Sequence, residues 1–128
     1  MRNFRDKYII EPKLISFDAY KIEVLRIEQE TNPDLLKIFL NPYEIKDGRF
    51  IGLIKIKSIN TEIYKNGQKV NLVIRTHFNG DNIISFSTID APFVLKLKEV
   101  RFYSNVRQSI ITVKLDKEVI VKKESKSL

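Results

Sequence analysis

The 128 residues describe a mainly β fold, an antiparallel meander forming a curved sheet or sandwich with at most one or two helices. Glycine placement is the first reason. Three of the four glycines follow Asp or Asn, at Asp47-Gly48, Asn66-Gly67 and Asn79-Gly80. A type I′ turn needs positive φ at both central positions, which Asn or Asp followed by Gly adopts most easily, so each pair marks a hairpin. Composition is the second reason: residues 50–64, 70–78 and 83–89 are rich in Ile, Val, Phe and Thr, which suit a pleated surface. Period-two alternation is the third. Val70, Leu72, Ile74 and Phe78 share one face and Asn71, Arg75 and His77 the other. Ile54 and Ile56 likewise oppose Lys55 and Lys57, and Phe93, Leu95 and Leu97 oppose Lys96 and Lys98.

Each element follows from the same rules. Residues 8–10 and 13–17 are short strands flanking Pro12, and residues 20–27 form a longer strand whose alternation slips between Val24 and Leu25. Residues 33–40 carry two readings. Asn32 as N-cap, Pro33 at the first helical position and Pro42 as a stop give a short helix; the same residues also give a strand with a proline at each end. Residues 50–64 exceed a normal strand, so a bend or bulge is expected around Ser58-Ile59-Asn60, with Gly52 as a second candidate. Residues 93–109 read as strand, with a helix as the alternative because Phe93, Leu97, Val100 and Ser104 also share a helical face. Residues 110–115 and 118–121 are expected to form a closing hairpin about Asp116-Lys117. The sum is a single antiparallel β domain over 1–121, of about eight strands, with a polar tail over 122–128.

Composition narrows function by exclusion. The absence of Cys removes disulfides, thiolate metal sites and a Cys nucleophile, and fits a reducing compartment, so a cytoplasmic or virus-associated location within a host cell is expected. No apolar run approaches the roughly 20 residues that span a bilayer, and the basic start leads only into Tyr8-Ile9-Ile10, so neither a membrane partner nor a signal peptide is expected. His77, the single histidine, lies on the wet face beside Arg75 and reads as a surface residue. Glu28 with Glu30, and Asp116 with Glu118, are paired carboxylates amid lysines near turns, and read as solvated charge. No glycine-rich phosphate loop is present, and neither an enzyme nor a cofactor is expected.

Binding is what remains. The net charge of +7 is uneven: residues 1–64 hold 11 Lys+Arg and 10 Asp+Glu, residues 65–128 hold 12 and 6. Lys96, Lys98, Arg101 and Arg107, with Phe102 and Tyr103 for base stacking, are therefore candidates for sequence-nonspecific binding of single-stranded nucleic acid. Lysine alternating with aliphatic residues is also the ordinary way to solvate a sheet face.

A family resemblance suggests the other class. The run Leu14-Ile15-Ser16-Phe17-Asp18-Ala19-Tyr20-Lys21-Ile22-Glu23-Val24-Leu25-Arg26-Ile27, then a meander ending at Val70-Asn71-Leu72-Val73-Ile74-Arg75-Thr76-His77-Phe78, resembles SecB-like chaperones over the first 80 residues. That resemblance implies a four-stranded antiparallel sheet followed by a helix beginning near Asp90-Ala91-Pro92, homo-oligomers, and ATP-independent capture of unfolded or nascent chains. Exposed apolar side chains would do the capturing, and Ile51, Leu53, Val73 and Val94 are the outward candidates for a protein partner. A third reading is a viral structural or assembly protein.

Overall fold

The computed structural model describes residues 8–29 and 34–124. They form eleven strands: β1 (Tyr8–Glu11), β2 (Leu14–Phe17), β3 (Tyr20–Gln29), β4 (Leu35–Lys46), β5 (Arg49–Leu53), β6 (Lys55–Lys65), β7 (Gln68–Val70), β8 (Arg75–His77), β9 (Ile83–Ser87), β10 (Phe93–Ser104) and β11 (Ser109–Lys123). All pairings are antiparallel, and they build two sheets. The first has the order β1-β11-β10-β6-β7 and the second β2-β3-β4-β9-β8, with β5 also pairing β4. No described helix is long and apolar enough to cross a membrane.

Alternation decides both ambiguous segments. Along β4 the side chains are buried at every second position, with Leu36, Ile38 and Leu40 inward, a pattern that a helix would scatter over its circumference. The helix reading of 33–40 is therefore corrected to strand, with Pro33 outside the described residues. The helix alternative for 93–109 is corrected too: residues 93–104 are β10 and residues 105–108 a turn. In β10 an extra residue at Lys98 switches the phase, so Phe93, Leu95 and Leu97 are followed inward by Val100 and Phe102. That bulge let one segment imitate a helical face.

The chain crosses repeatedly between the sheets, which is why long apolar runs break into shorter strands. Residues 70–78 alternate as expected, and Val70, Leu72, Ile74 and Phe78 pack against the core, but β7 and β8 belong to different sheets. Residues 50–64 break at Ile54, buried where the chain leaves β5 for β6, and slip again opposite Arg101 and Phe102, leaving Lys57 as an extra residue. The slip expected after Val24 is present and leaves Leu25 exposed. The expected hairpin at Asp116-Lys117 is instead a bulge: Asp116 takes a φ of 45° inside a continuous β11. β11 runs through Lys122 and Lys123, which pair with Ile9 and Tyr8; residues 125–128 of the expected tail lie outside the described residues.

Aromatic rings join the sheets. Phe102 of β10 meets Tyr20 of β3 edge-on at 4.6 Å and Phe17 of β2 at 6.2 Å, while Phe93 of β10 meets Phe86 of β9 at 5.8 Å. Around them lies one contiguous cluster to which both sheets contribute. Phe102→Ala is expected to lower the unfolding free energy by about 3–5 kcal/mol in urea titrations. Phe50→Ser, on the surface, should shift it by less than about 0.5 kcal/mol. Equal midpoints for Phe102→Ala and the parent would contradict this core.

Candidate protein-binding edge

Three of the exposed large apolar side chains among the described residues, Phe50, Ile51 and Leu53, lie together on β5. The turn Asp47-Gly48 has φ values of 52° and 74°, the paired left-handed conformations of a type I′ hairpin, and it folds β5 back on the end of β4. The register slips between Glu44 and Ile45, so Ile51 is an extra residue opposite β4. Such a bulge twists a strand away from its sheet. Phe50 and Leu53 are consequently 61% and 57% exposed, and Ile51 42%. β5 pairs with β4 alone, so its outer edge carries no strand among the described residues. The Phe50 ring rests 5.6 Å from that of Tyr43, and Phe50, Ile51 and Val106 line a shallow concavity with Lys46, Asp47 and Arg49.

A buried polar latch holds this edge. Ser104, at the end of β10, is fully buried and its hydroxyl donates to both carboxylate oxygens of buried Glu44, at 3.1 and 3.3 Å. The Arg107 amide donates to the Ser104 Oγ at 3.1 Å, and the Asn105 Nδ2 donates to the Leu53 carbonyl at 3.3 Å. The β4–β5 hairpin of one sheet is thereby tied to the β10–β11 turn of the other, which brings Val106 beside Phe50 and Ile51.

The four apolar candidates from sequence do not converge. Ile51 and Leu53 share the β5 edge. Val73 is 73% exposed in the stretch between β7 and β8 and lines a groove of about 830 Å³ with Arg75, His77, Phe78 and Ser85. Val94 is half-buried on the outer face of the first sheet between Tyr64 and Ile120. Phe50 and Val106 were not anticipated. The Asp47-Gly48 turn signals that Phe50 opens an edge hairpin, but only the latch brings Val106 to it.

The basic candidates are scattered differently. Lys96 lies between Glu62 and Glu118 on the neighbouring strands, and the Lys98 ammonium is 3.9 Å from the Asp116 carboxylate. Arg101 stands between Ser58 and Thr112, Tyr103 between Lys55 and Ile110, and Arg107 in the turn. Phe102 is wholly buried, so its expected stacking role is corrected: the phase switch at Lys98 turns it inward and leaves Tyr103 outside. Carboxylates thus interrupt the basic stripe, and one of its two aromatics is absent from the face.

Other chemistry-bearing residues stay dispersed. Ser85 Oγ lies 3.5 Å from the His77 Nε2, and Glu28 is paired with Arg26 at 3.3 Å, whose guanidinium sits 4.0 Å over the Phe39 ring; Glu30 lies outside the described residues. Among the described residues no group of three His, Asp or Glu side chains is placed to hold a metal ion. On the outer face the Tyr64 hydroxyl donates to Glu62 at 2.9 Å and the Lys69 ammonium stands 3.1 Å away, which together hold the Glu62 carboxyl below its usual range. The same bond raises the Tyr64 hydroxyl above its own.

Two outcomes follow. Ser104→Ala removes the latch donor from a buried carboxylate and should cost about 1–3 kcal/mol by urea titration; an unchanged midpoint would mean the latch contributes nothing. A depressed carboxylate stabilises the fold above its unfolded pKa and loses that contribution as pH falls through the folded value. NMR titration should therefore place the Glu62 midpoint below that of an ordinary glutamate, and Tyr64→Phe should raise it; an identical midpoint in the variant would refute the assignment. Comparison with known protein families, curated proteins and solved structures gives no match for this chain.

Proposed function

We propose that this is a non-enzymatic protein-binding module that holds an extended segment of another polypeptide along the free edge of β5, as a chaperone holds an unfolded or nascent chain. The observation that carries the reading is a strand edge with no neighbouring strand among the described residues, bearing Phe50, Ile51 and Leu53 on its surface and capped at the Leu53 carbonyl by Asn105. Unpaired N–H and C=O groups are a template for an added strand, and edges are commonly blunted by charged side chains, prolines, bulges or a covering element, of which β5 has Arg49 and the Ile51 bulge. Here three of the five β5 residues are large and apolar. Main-chain hydrogen bonds accept any sequence, and apolar burial adds about 25 cal/mol per Å² without demanding a particular side chain. The latch supports the reading because it fixes the edge before a partner arrives, so little ordering is left to oppose binding. The resemblance to SecB-like chaperones over the first 80 residues points to the same class, although the helix it implies after Asp90-Ala91-Pro92 is the strand β10 here.

The test is aggregation of an unfolded client followed by light scattering. The protein at stoichiometric concentration should suppress the signal, and the double variant Phe50→Ser/Leu53→Ser, checked for an unchanged unfolding midpoint, should lose most of that effect. Scattering unaltered by the parent protein would overturn the proposal.

A further inference from the structure

We infer that Asn79 is a site of self-modification, at which the backbone nitrogen of Gly80 displaces the side-chain amide and water then leaves an aspartate or a β-linked isoaspartate. Sequence narrows the candidates first. A glycine has no Cβ to obstruct its own nitrogen, so Asn followed by Gly closes the required ring most readily. Outside the two Asn-Gly pairs, every described asparagine precedes Thr, Leu, Ile, Val or Pro. Asn66-Gly67 and Asn79-Gly80 remain, and all four of these residues are exposed.

Backbone conformation separates the two. Asn66 and Gly67 have φ values of 52° and 76°, and Lys65 pairs with Gln68 across them, which makes the type I′ turn between β6 and β7. In the left-handed conformation Cβ lies close to the carbonyl oxygen that follows it, so the next nitrogen, on the other side of that carbonyl carbon, is turned away from the side chain. The hairpin therefore keeps the Gly67 nitrogen from the Asn66 Cγ. Asp47-Gly48, at 52° and 74°, is held in the same way. Asn79-Gly80 carries the same turn signal in the sequence, but the turn is absent: the five residues 78–82 join β8 to β9, and of these only Gly80 takes a positive φ, at 95°. The Leu40 amide donates to the Asn82 carbonyl at 2.8 Å and fixes the far end of this loop, whereas Asn79 and Gly80 make no backbone–backbone hydrogen bond among the described residues.

Water is the only co-reactant the chemistry needs. The Gly80 nitrogen attacks the Asn79 Cγ, the Cγ–Nδ2 bond breaks, and the amide leaves as ammonia with the proton that the Gly80 nitrogen gives up. A five-membered succinimide remains. Water then adds to one of its two carbonyl carbons and cleaves the bond from that carbon to the Gly80 nitrogen. Attack at Cγ restores the main chain with an aspartate, and attack at the α-carbonyl leaves an isoaspartate whose main chain is longer by a methylene. Asn79 lines the groove that Val73, Arg75 and His77 also line, so a neutral amide in that wall becomes a carboxylate. The groove shares no lining residue with the concavity at β5, and the modification is independent of what that edge binds.

The test is peptide mapping by mass spectrometry of the folded protein, incubated at neutral pH and sampled over days, with the aspartate and isoaspartate peptides separated by chromatography. Asn79 should convert at least about tenfold faster than Asn66, which reacts only through rare openings of its hairpin. In guanidinium chloride sufficient to unfold the chain, the two rates should converge. Asn79→Gln, whose longer side chain closes the ring poorly, should keep the unfolding midpoint and lose most of the acidic product seen on ion exchange. Equal conversion of Asn66 and Asn79 in the folded protein, an Asn79 that stays unmodified, or an unchanged yield of acidic product from Asn79→Gln would each overturn the inference. A rate difference that persisted in the unfolded chain would trace to sequence rather than to the fold, and would overturn it as well.

Discussion

Everything in this molecule depends on keeping two sheets in register across a single apolar layer. The aromatic contact of Phe102 with Tyr20 and Phe17 is where that dependence is tightest, because it joins the centre of one sheet to the first hairpin of the other. Aliphatic neighbours fill the rest, and polar groups enter the interior only when bonded: Glu44 and Ser104 satisfy each other, and no described buried side-chain nitrogen or oxygen lacks a partner. A carboxylate held this way is retained at a cost in desolvation, and the return is a fixed relation between two hairpins.

That relation gives the surface its shape. Without the latch, β5 would be held by β4 alone, as an outer strand past the end of β9 on a β4 segment whose other side pairs β3. With it, a concave apolar strip is held between two turns from different sheets. The Ile51 bulge finishes the arrangement by turning consecutive side chains to solvent, which a regular strand buried on one face does not do.

Most of the fold was legible because alternation and turn chemistry act locally. The turns at Asp47-Gly48 and Asn66-Gly67, the inward set of Val70, Leu72, Ile74 and Phe78, and the slip after Val24 all follow from short-range rules. Bulges defeated the rest. At Lys98 an inserted residue shifts the inward phase from Leu97 to Val100, imitating a helical spacing and placing Phe102 on the wrong side of the sheet. At Asp116 a left-handed residue resembles a turn but only kinks the strand. The site was half legible: Ile51 and Leu53 follow from alternation near Gly52, whereas Val106 reaches them through a contact of residues sixty apart in sequence, Glu44 with Ser104, which no local pattern encodes.

The pairing of β1 with β11 sets an order on assembly. Tyr8 faces Lys123 and Glu11 faces Ile120, so the earliest described strand finds its neighbour only after every described strand between them has been made. Since loop closure over such a distance is entropically unfavourable until other contacts shorten it, β10 and β11 must already be paired when β1 docks. A ribosome-bound chain lacking β11 would therefore expose β1 and the side of β10 that β11 normally covers. Synthesis of β11, rather than local stability, is the event that seals the first sheet.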